Sequence, residues 1–175
     1  MGDHALSGPK AASSWRVREG RHEDLKSVLA LVRELAAYER AADEVSLTLS
    51  QLEQDAEAGC FVWTVAEACE TGQIIGMALH HGRYSTWKGK TWYVEDLVVT
   101  EAWRGQGVGK ALFAAVAQRA WAEEAQRLEW QVLDWNEPAI GFYQHLEATL
   151  DGSWLNGRLT REALQNHPLV TPVQS

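Results

Sequence analysis

Along this chain the spacing of apolar positions switches between a period near 3.6 and a period near 2, and the switches mark out its elements. Trp15 to Glu19 alternates as a first strand. From His22 the residues Leu25, Val28, Leu29, Val32, Leu35 and Ala36 fall on one stripe, which predicts an amphipathic helix ending near Tyr38-Glu39-Arg40. Thr48 with Gln51 three residues later is a capping-box pair, so a second, short helix is expected to start there and stop at Gly59. Two strands follow, about Cys60 to Cys69 and Gln73 to Gly82, with Glu70-Thr71-Gly72 as the turn of a hairpin. Arg83 to Lys90, RYSTWKGK, reads as a polar loop.

The densest β-branched and aromatic stretch is Trp92, Tyr93, Val94, Leu97, Val98 and Val99, which predicts a central strand. Val108, Leu112, Ala115 and Val116 then resume the helical period to about Glu124. Leu128 to Leu133 reads as a strand and Glu137 to Leu146 as a helix. Ala148 to Leu155 with Arg158 to Thr160 reads as a last hairpin, and Thr160 to Asn166 as a helical turn. Strands that arrive first as hairpins and then through a helix imply an α/β (α+β) fold, its sheet antiparallel early with one parallel βαβ unit from Val94 to Leu133. One domain over residues 15–167 is expected, with a flexible tail at 1–14 and a loose one at 168–175.

Between central strand and helix stands Arg104-Gly105-Gln106-Gly107-Val108-Gly109. Alternating glycines let the backbone turn tightly and bring its N–H groups near a bound group, and the first N–H groups of a helix have no intrahelical partner. A phosphate is the natural ligand of such a turn. Two phosphate loops can be tested by letter. A P-loop wants glycine where Arg104 stands and a hydroxyl where Ala111 stands. The dinucleotide pattern GxGxxG fails from Gly105, where Lys110 takes the last position, and from Gly107, where Leu112 does.

Composition narrows the partners. A formal net charge of −8 and a pI of about 5.2 give no footprint for nucleic acid and suit a small cationic ligand. Cys60 and Cys69 lie in strand-like runs without metal spacing, and are expected to be buried, inert thiols of a reducing cytoplasm. His80 and His81 would point to opposite faces of a strand, so no shared metal is expected, and they read as surface or satisfied polar residues. No apolar run approaches the roughly 18 residues of a membrane span, and the first residues lack a secretory core.

Two constellations could carry chemistry. Glu95 and Asp96 interrupt an apolar strand, and carboxylates there either line a cleft, with a pKa raised by desolvation, or form an edge or a hydrogen-bonded anchor. In Trp135-Asn136-Glu137-Pro138-Ala139-Ile140-Gly141-Phe142-Tyr143, Asn136 is a strong N-cap and Pro138 suits a first turn. Tyr143, beside Ala139 on that helix, reads from the residues alone as a core aromatic with a satisfied hydroxyl.

Arg-x-x-Gly-x-Gly at Arg104 to Gly109 resembles the pyrophosphate turn of the GNAT acyl-coenzyme A N-acyltransferases. Four stretches narrow the resemblance: ELAAYE (Glu34 to Glu39), YSTWKGKTWYVEDLVV (Tyr84 to Val99), RGQGVG (Arg104 to Gly109) and VLDWNEPAIGFY (Val132 to Tyr143). Together they look like the diamine acetyltransferase branch, which includes the spermidine/spermine and thialysine N-acetyltransferases. The resemblance implies a GNAT fold, acetyl-coenzyme A as cosubstrate without a metal, a small cationic amine as acceptor, and a homodimer in the cytoplasm. It implies that Leu97, Val98 and Val99, the turn Arg104, Gly105, Gln106, Gly107, Val108, Gly109 and Lys110, and then Asn136, Ala139 and Tyr143 hold the coenzyme. Tyr143 would protonate the departing thiolate and Glu95 would take the ammonium proton, with Tyr38, Glu39, Glu95 and Asp96 around the acceptor. A strand N–H freed by a bulge near Leu97 to Val99 would face the oxyanion. Where the family closes the helix after its tyrosine with glycine, this chain has Leu146-Glu147-Ala148, which removes the usual left-handed cap. A non-catalytic acyl-coenzyme A module, or an acetyltransferase of protein or aminoacyl amines, are the alternatives.

Overall fold

A computed structural model of the chain describes residues 14–165 and 167–169. Apart from Ser14, Pro168 and Leu169, the two expected tails lie outside the described residues. The chain divides into two compact units, Met1–Gln131 and Val132–Ser175.

The first unit runs β1 (Trp15–Glu19), a 3-10 turn, α1 (Leu25–Tyr38), a second 3-10 turn, α2 (Leu49–Glu57), β2 (Val62–Ala68), β3 (Ile74–Ser85), β4 (Gly89–Val99), a third 3-10 turn, α3 (Val108–Ala122) and β5 (Arg127–Trp130). Its five strands lie in sequence order in one sheet, antiparallel from β1 to β4 and parallel from β4 to β5. This is the mixed sheet with one βαβ unit that the periodicity predicts.

Each face of the sheet is covered by the helices whose stripes fit it. Leu25, Val28 and Leu29 of α1 and Leu52 of α2 pack with Val65, Met77, Leu79 and Val98. On the other face Val108, Leu112 and Val116 of α3 pack with Ala66, Ala78 and Val94. Each fully buried Leu or Val contributes about 1.5–3 kcal/mol. The α3 layer sits close because Gly76 has no side chain: a Cβ there would lie 2.9 Å from the Val98 carbonyl oxygen and 3.2 Å from Leu112.

A charged cluster fastens β1 to its surroundings. Arg18 donates from Nη1 and Nη2 to the Asp24 carboxylate at 2.7 and 2.9 Å and from Nε to Glu67 at 2.6 Å, and Arg16 donates to Glu67 at 2.7 Å. Burial alone would raise the Asp24 carboxyl, but the Arg18 hydrogen bonds and the Arg21 N–H hold it below the usual range. Arg18 and then Arg16 do the same for Glu67.

Three details of this unit differ from the pattern-based expectation. Arg83 to Lys90 is no loop: β3 continues to Ser85 and β4 starts at Gly89. Lys88 N–H donates to Ser85 O at 3.3 Å, and Gly89 at φ 93° returns the chain to the ladder. Cys60 and Cys69 are exposed, because they flank β2 and lie outside it. His80 is not at the surface. It is 1% exposed, its Nε2 is 3.3 Å from Thr64 Oγ1, and its Nδ1 has no partner, so it is only half satisfied.

The second unit holds α4 (Glu137–His145) and α5 (Arg161–Gln165). No described residue between Ala148 and Thr160 is in a strand, against the expected hairpin. Asp151 Oδ1 instead accepts from both the N–H and the hydroxyl of Ser153, a side-chain turn that competes with ladder formation. The cap after α4 forms despite the missing glycine. Glu147 itself takes φ 59°, and the N–H groups of Glu147 and Ala148 donate to the carbonyls of Gln144 and Tyr143.

Candidate active site

The alternation of β4 is broken at one place. Leu79 lies opposite Asp96 and His80 opposite Val94, so Glu95 is an extra residue without a partner on β3. In a regular strand Glu95 and Asp96 would leave opposite faces. The bulge puts both on the α1 face, since Val94 and Leu97 on either side of the pair both belong to the α3 core. The bulge therefore falls at Glu95, two residues before the Leu97 to Val99 stretch near which it is expected. Leu97, Val98 and Val99 are regularly paired with Ala78, Met77 and Gly76.

Helix α1 ends over this bulge and adds a third carboxylate. Glu39 is its C-cap residue, and Arg40 at φ 61° turns the chain away. Burial, then the negative charges of Glu95 and Glu39, push the Asp96 carboxyl up to about 6. Burial also raises Glu39. Glu95 stays open, with its side chain 58% exposed, and its Oε2 lies 3.6 Å from His81 Nε2. His81 Nδ1 faces the Gly82 carbonyl at 3.1 Å, which fixes the proton on Nδ1 and leaves Nε2 turned to Glu95.

Beyond the strand the glycine turn has the geometry its letters predict. Gly105 and Gly107 take φ 73° and 83°, values that L side chains resist, and a Cβ on Gly105 would meet only open space. The first intrahelical bond of α3 runs from Ala111 N–H to Gly107 O, so Val108, Gly109 and Lys110 present N–H groups at the positive end of the helix. Gln106 braces the turn by donating to Ala102 O at 3.1 Å. Arg104 turns toward the body of the unit: Nε donates to Val99 O at 2.9 Å, Nη2 is 4.0 Å from Glu34, and the guanidinium lies 5.2 Å from the Tyr38 ring. The Arg104 contact thus joins the phosphate-type turn to the end of α1 that carries Tyr38 and Glu39. β5 pairs with β4 only from Thr91 to Val94, so from Glu95 to Val99 no strand among the described residues lies along that edge of β4.

In the second unit Asn136 is the N-cap of α4, its Oδ1 accepting from Ala139 N–H at 3.3 Å. Tyr143 lies one turn beyond Ala139 and is buried, which pushes its phenol up to about 12 and keeps it protonated at neutral pH. Among the described residues, no three His, Cys, Asp or Glu side chains are placed to hold a metal ion, and no helix is long and apolar enough to cross a membrane.

The acetyltransferase (GNAT) family profile matches residues 25–147, which runs from α1 through the bulge and the glycine turn to the end of α4. This chain belongs to the GNAT acetyltransferase family. It is 32% identical over 164 residues to a thialysine N-epsilon-acetyltransferase of Mus musculus, covering 87% of this chain and 96% of that one. It is also 29% identical over 160 residues to spermidine/spermine N(1)-acetyltransferase-like protein 1 of Homo sapiens, covering 86% of this chain and 23% of that one. These likenesses place it in the diamine acetyltransferase branch. An aminoglycoside acetyltransferase from an uncultured soil metagenomic sample shares the fold, with a TM-score of 0.71 at 20% identity over 84% of this chain and 96% of that one.

The sequence pattern does not say which carboxylate of this GNAT acyltransferase is buried, and burial falls on Asp96. Nor does it set His81 beside Glu95. The signal for it was present in the hairpin: once Ser85 faces Gly89, counting back along both arms sets His81 opposite Tyr93, two residues from Glu95.

Proposed function

We propose that this GNAT enzyme transfers the acetyl group of acetyl-coenzyme A to a primary amine of a small cationic acceptor, and that it acts in the cytoplasm as a homodimer, as the branch implies. The observation that carries the reading is the convergence of Glu39, Glu95 and Asp96 on one face at the bulge, with a glycine turn at the end of the same strand. A net charge of −8 favours a cationic acceptor, and relatives are named for the acetylation of thialysine and of spermidine/spermine.

The N–H groups of Val108, Gly109 and Lys110 would cradle the pyrophosphate, with Gly105 and Gly107 letting it approach, and the open edge from Glu95 to Val99 would take the pantetheine arm. An alkylammonium has a pKa of about 10.4, so it must lose a proton before it attacks. Glu95 is the carboxylate an entering ammonium meets first. Asp96, at about 6, is the member of the pair suited to hold a proton near neutrality. The amine then attacks the thioester carbonyl, the C–N bond forms, the C–S bond breaks, and the thiolate leaves with a proton. Tyr143 is the proposed donor of that proton. Tyr38 and Glu39 would line the acceptor side, and Arg104 would keep that side in step with the turn.

The test follows free thiol while acetyl-coenzyme A is offered lysine, thialysine, spermidine, spermine and short diamines. Amine-dependent thiol release is expected. Tyr143→Phe should lose on the order of 10²-fold in turnover with coenzyme affinity within a few-fold. Gly107→Val should weaken coenzyme binding severely in calorimetric titration. Tight coenzyme binding with no release for any amine would leave only an acyl-coenzyme A binding module.

A further inference from the structure

The face of the sheet that carries Glu95 continues along β3, β4 and β5 as a row of polar side chains with opposite charges at its ends. His81 pairs with Tyr93 across β3 and β4, Tyr93 pairs with Glu129 across β4 and β5, and Arg83 follows His81 on the same face. The His81 ring lies 5.5 Å from the Tyr93 ring, and the Arg83 guanidinium sits over that ring at 5.3 Å. Arg83 is 3.9 Å from Glu129, a separation that leaves its N–H donors to other acceptors, whereas Glu129 is held by Arg127 at 3.1 Å. A cation is thus held on an aromatic platform on the same face as the acidic bulge, with the Arg83 side chain 57% exposed and open to a ligand.

Tyr93 and Glu95 are two residues apart on one strand, about 7 Å. The side-chain nitrogen of lysine is separated from its α-carbon by five bonds of about 1.5 Å, roughly 6 Å when extended. We propose that Arg83 is a specificity residue that reads a carboxylate on the acceptor, so that the enzyme prefers an amino acid with a side-chain amine over a diamine of the same length. This inference rests on the acetyl-transfer reading above and deepens it. With the amine at Glu95 and Asp96, the α-carboxylate of such an acceptor meets the guanidinium and its α-ammonium meets Glu129. A diamine of the same length can set its second ammonium at Glu129 but leaves the guanidinium without a carboxylate. The planar fork of Arg83 fits a carboxylate in two-point fashion, and that contact separates the two acceptors.

Lysine and cadaverine differ only by the carboxylate, and so isolate the contact. With saturating acetyl-coenzyme A, the ratio of kcat/KM for lysine to that for cadaverine should exceed about tenfold in the wild type. Arg83→Met should reduce that ratio by about tenfold, through a higher KM for lysine, while kcat for lysine moves little. Arg83→Lys should restore part of it. A wild type that does not distinguish the two, or an Arg83→Met variant that loses both equally, overturns the role of Arg83 and leaves amine acetylation standing. Absence of transfer to every amine overturns both.

Discussion

Asp96 carries the tension between folding and chemistry at the scale of a single residue. Its carboxyl is pushed from the ordinary 3.8 to about 6 by burial and by Glu95 and Glu39, so the folded chain holds that proton more tightly than the unfolded one. The associated stability is complete below pH 4 and is lost as pH rises through 6. At neutral pH the enzyme therefore works with an unfavourable buried charge. Asp96→Asn removes it and should stabilise the protein at pH 7.5 by on the order of 2 kcal/mol, with little gain at pH 4, while turnover falls. Urea unfolding at the two pH values checks the first part. An Asn variant no more stable than wild type at pH 7.5 would mean that Asp96 is not desolvated.

At the scale of elements, much was legible where local rules suffice. Thr48 caps α2 and shares a capping box with Gln51, and the stripe from Leu25 to Leu35 faces the core. Gly105 and Gly107 take the left-handed values for which the lack of a Cβ fits them. What was not legible depends on partners distant in sequence or on residues that break a local rule. The β3–β4 hairpin hid behind the polar RYSTWKGK, and the bulge is visible only once β4 is counted against β3. The helix ends are the clearest case: α1, α3 and α4 all finish on left-handed residues that are not glycine, namely Arg40, Glu124 and Glu147. After α3 the Glu124 and Ala125 N–H groups close onto Trp121 and Ala120 carbonyls, so the motif is complete and only its residue is unfavourable. Glu124→Gly should stabilise the fold by about 1 kcal/mol, read as a rise in Tm. A fall would mean that the Glu124 side chain contributes more than its backbone costs.

For the whole molecule, the response to acid is a balance of buried groups. Burial, then the charges of Arg119 and His81, lowers His80 to about 4, so its stability is present above pH 6.5 and is lost as pH falls toward 4. That slope is opposite to the one from Asp96, over nearly the same range. The two largely cancel, and the wild type should show a flatter profile between pH 4 and 6.5 than either single variant. In His80→Phe, which keeps a ring against Trp92, unfolding free energy should decline with rising pH across this window. A wild-type slope in that variant would place the acid sensitivity elsewhere, for example in the Arg18, Asp24 and Glu67 cluster. In a regularly paired stretch of strand a one-residue deletion would turn core side chains to the wrong face. At the Glu95 bulge it would not, because Val94, Asp96, Leu97 and Val98 without Glu95 would alternate between the two cores without a break. The carboxylate behaves as an insertion into a finished strand, one that the scaffold neither needs nor resists. A chain lacking only Glu95 should fold with an unchanged circular dichroism spectrum and fail to turn over, so that the enzyme can be reduced to its bare sheet by removing a single codon.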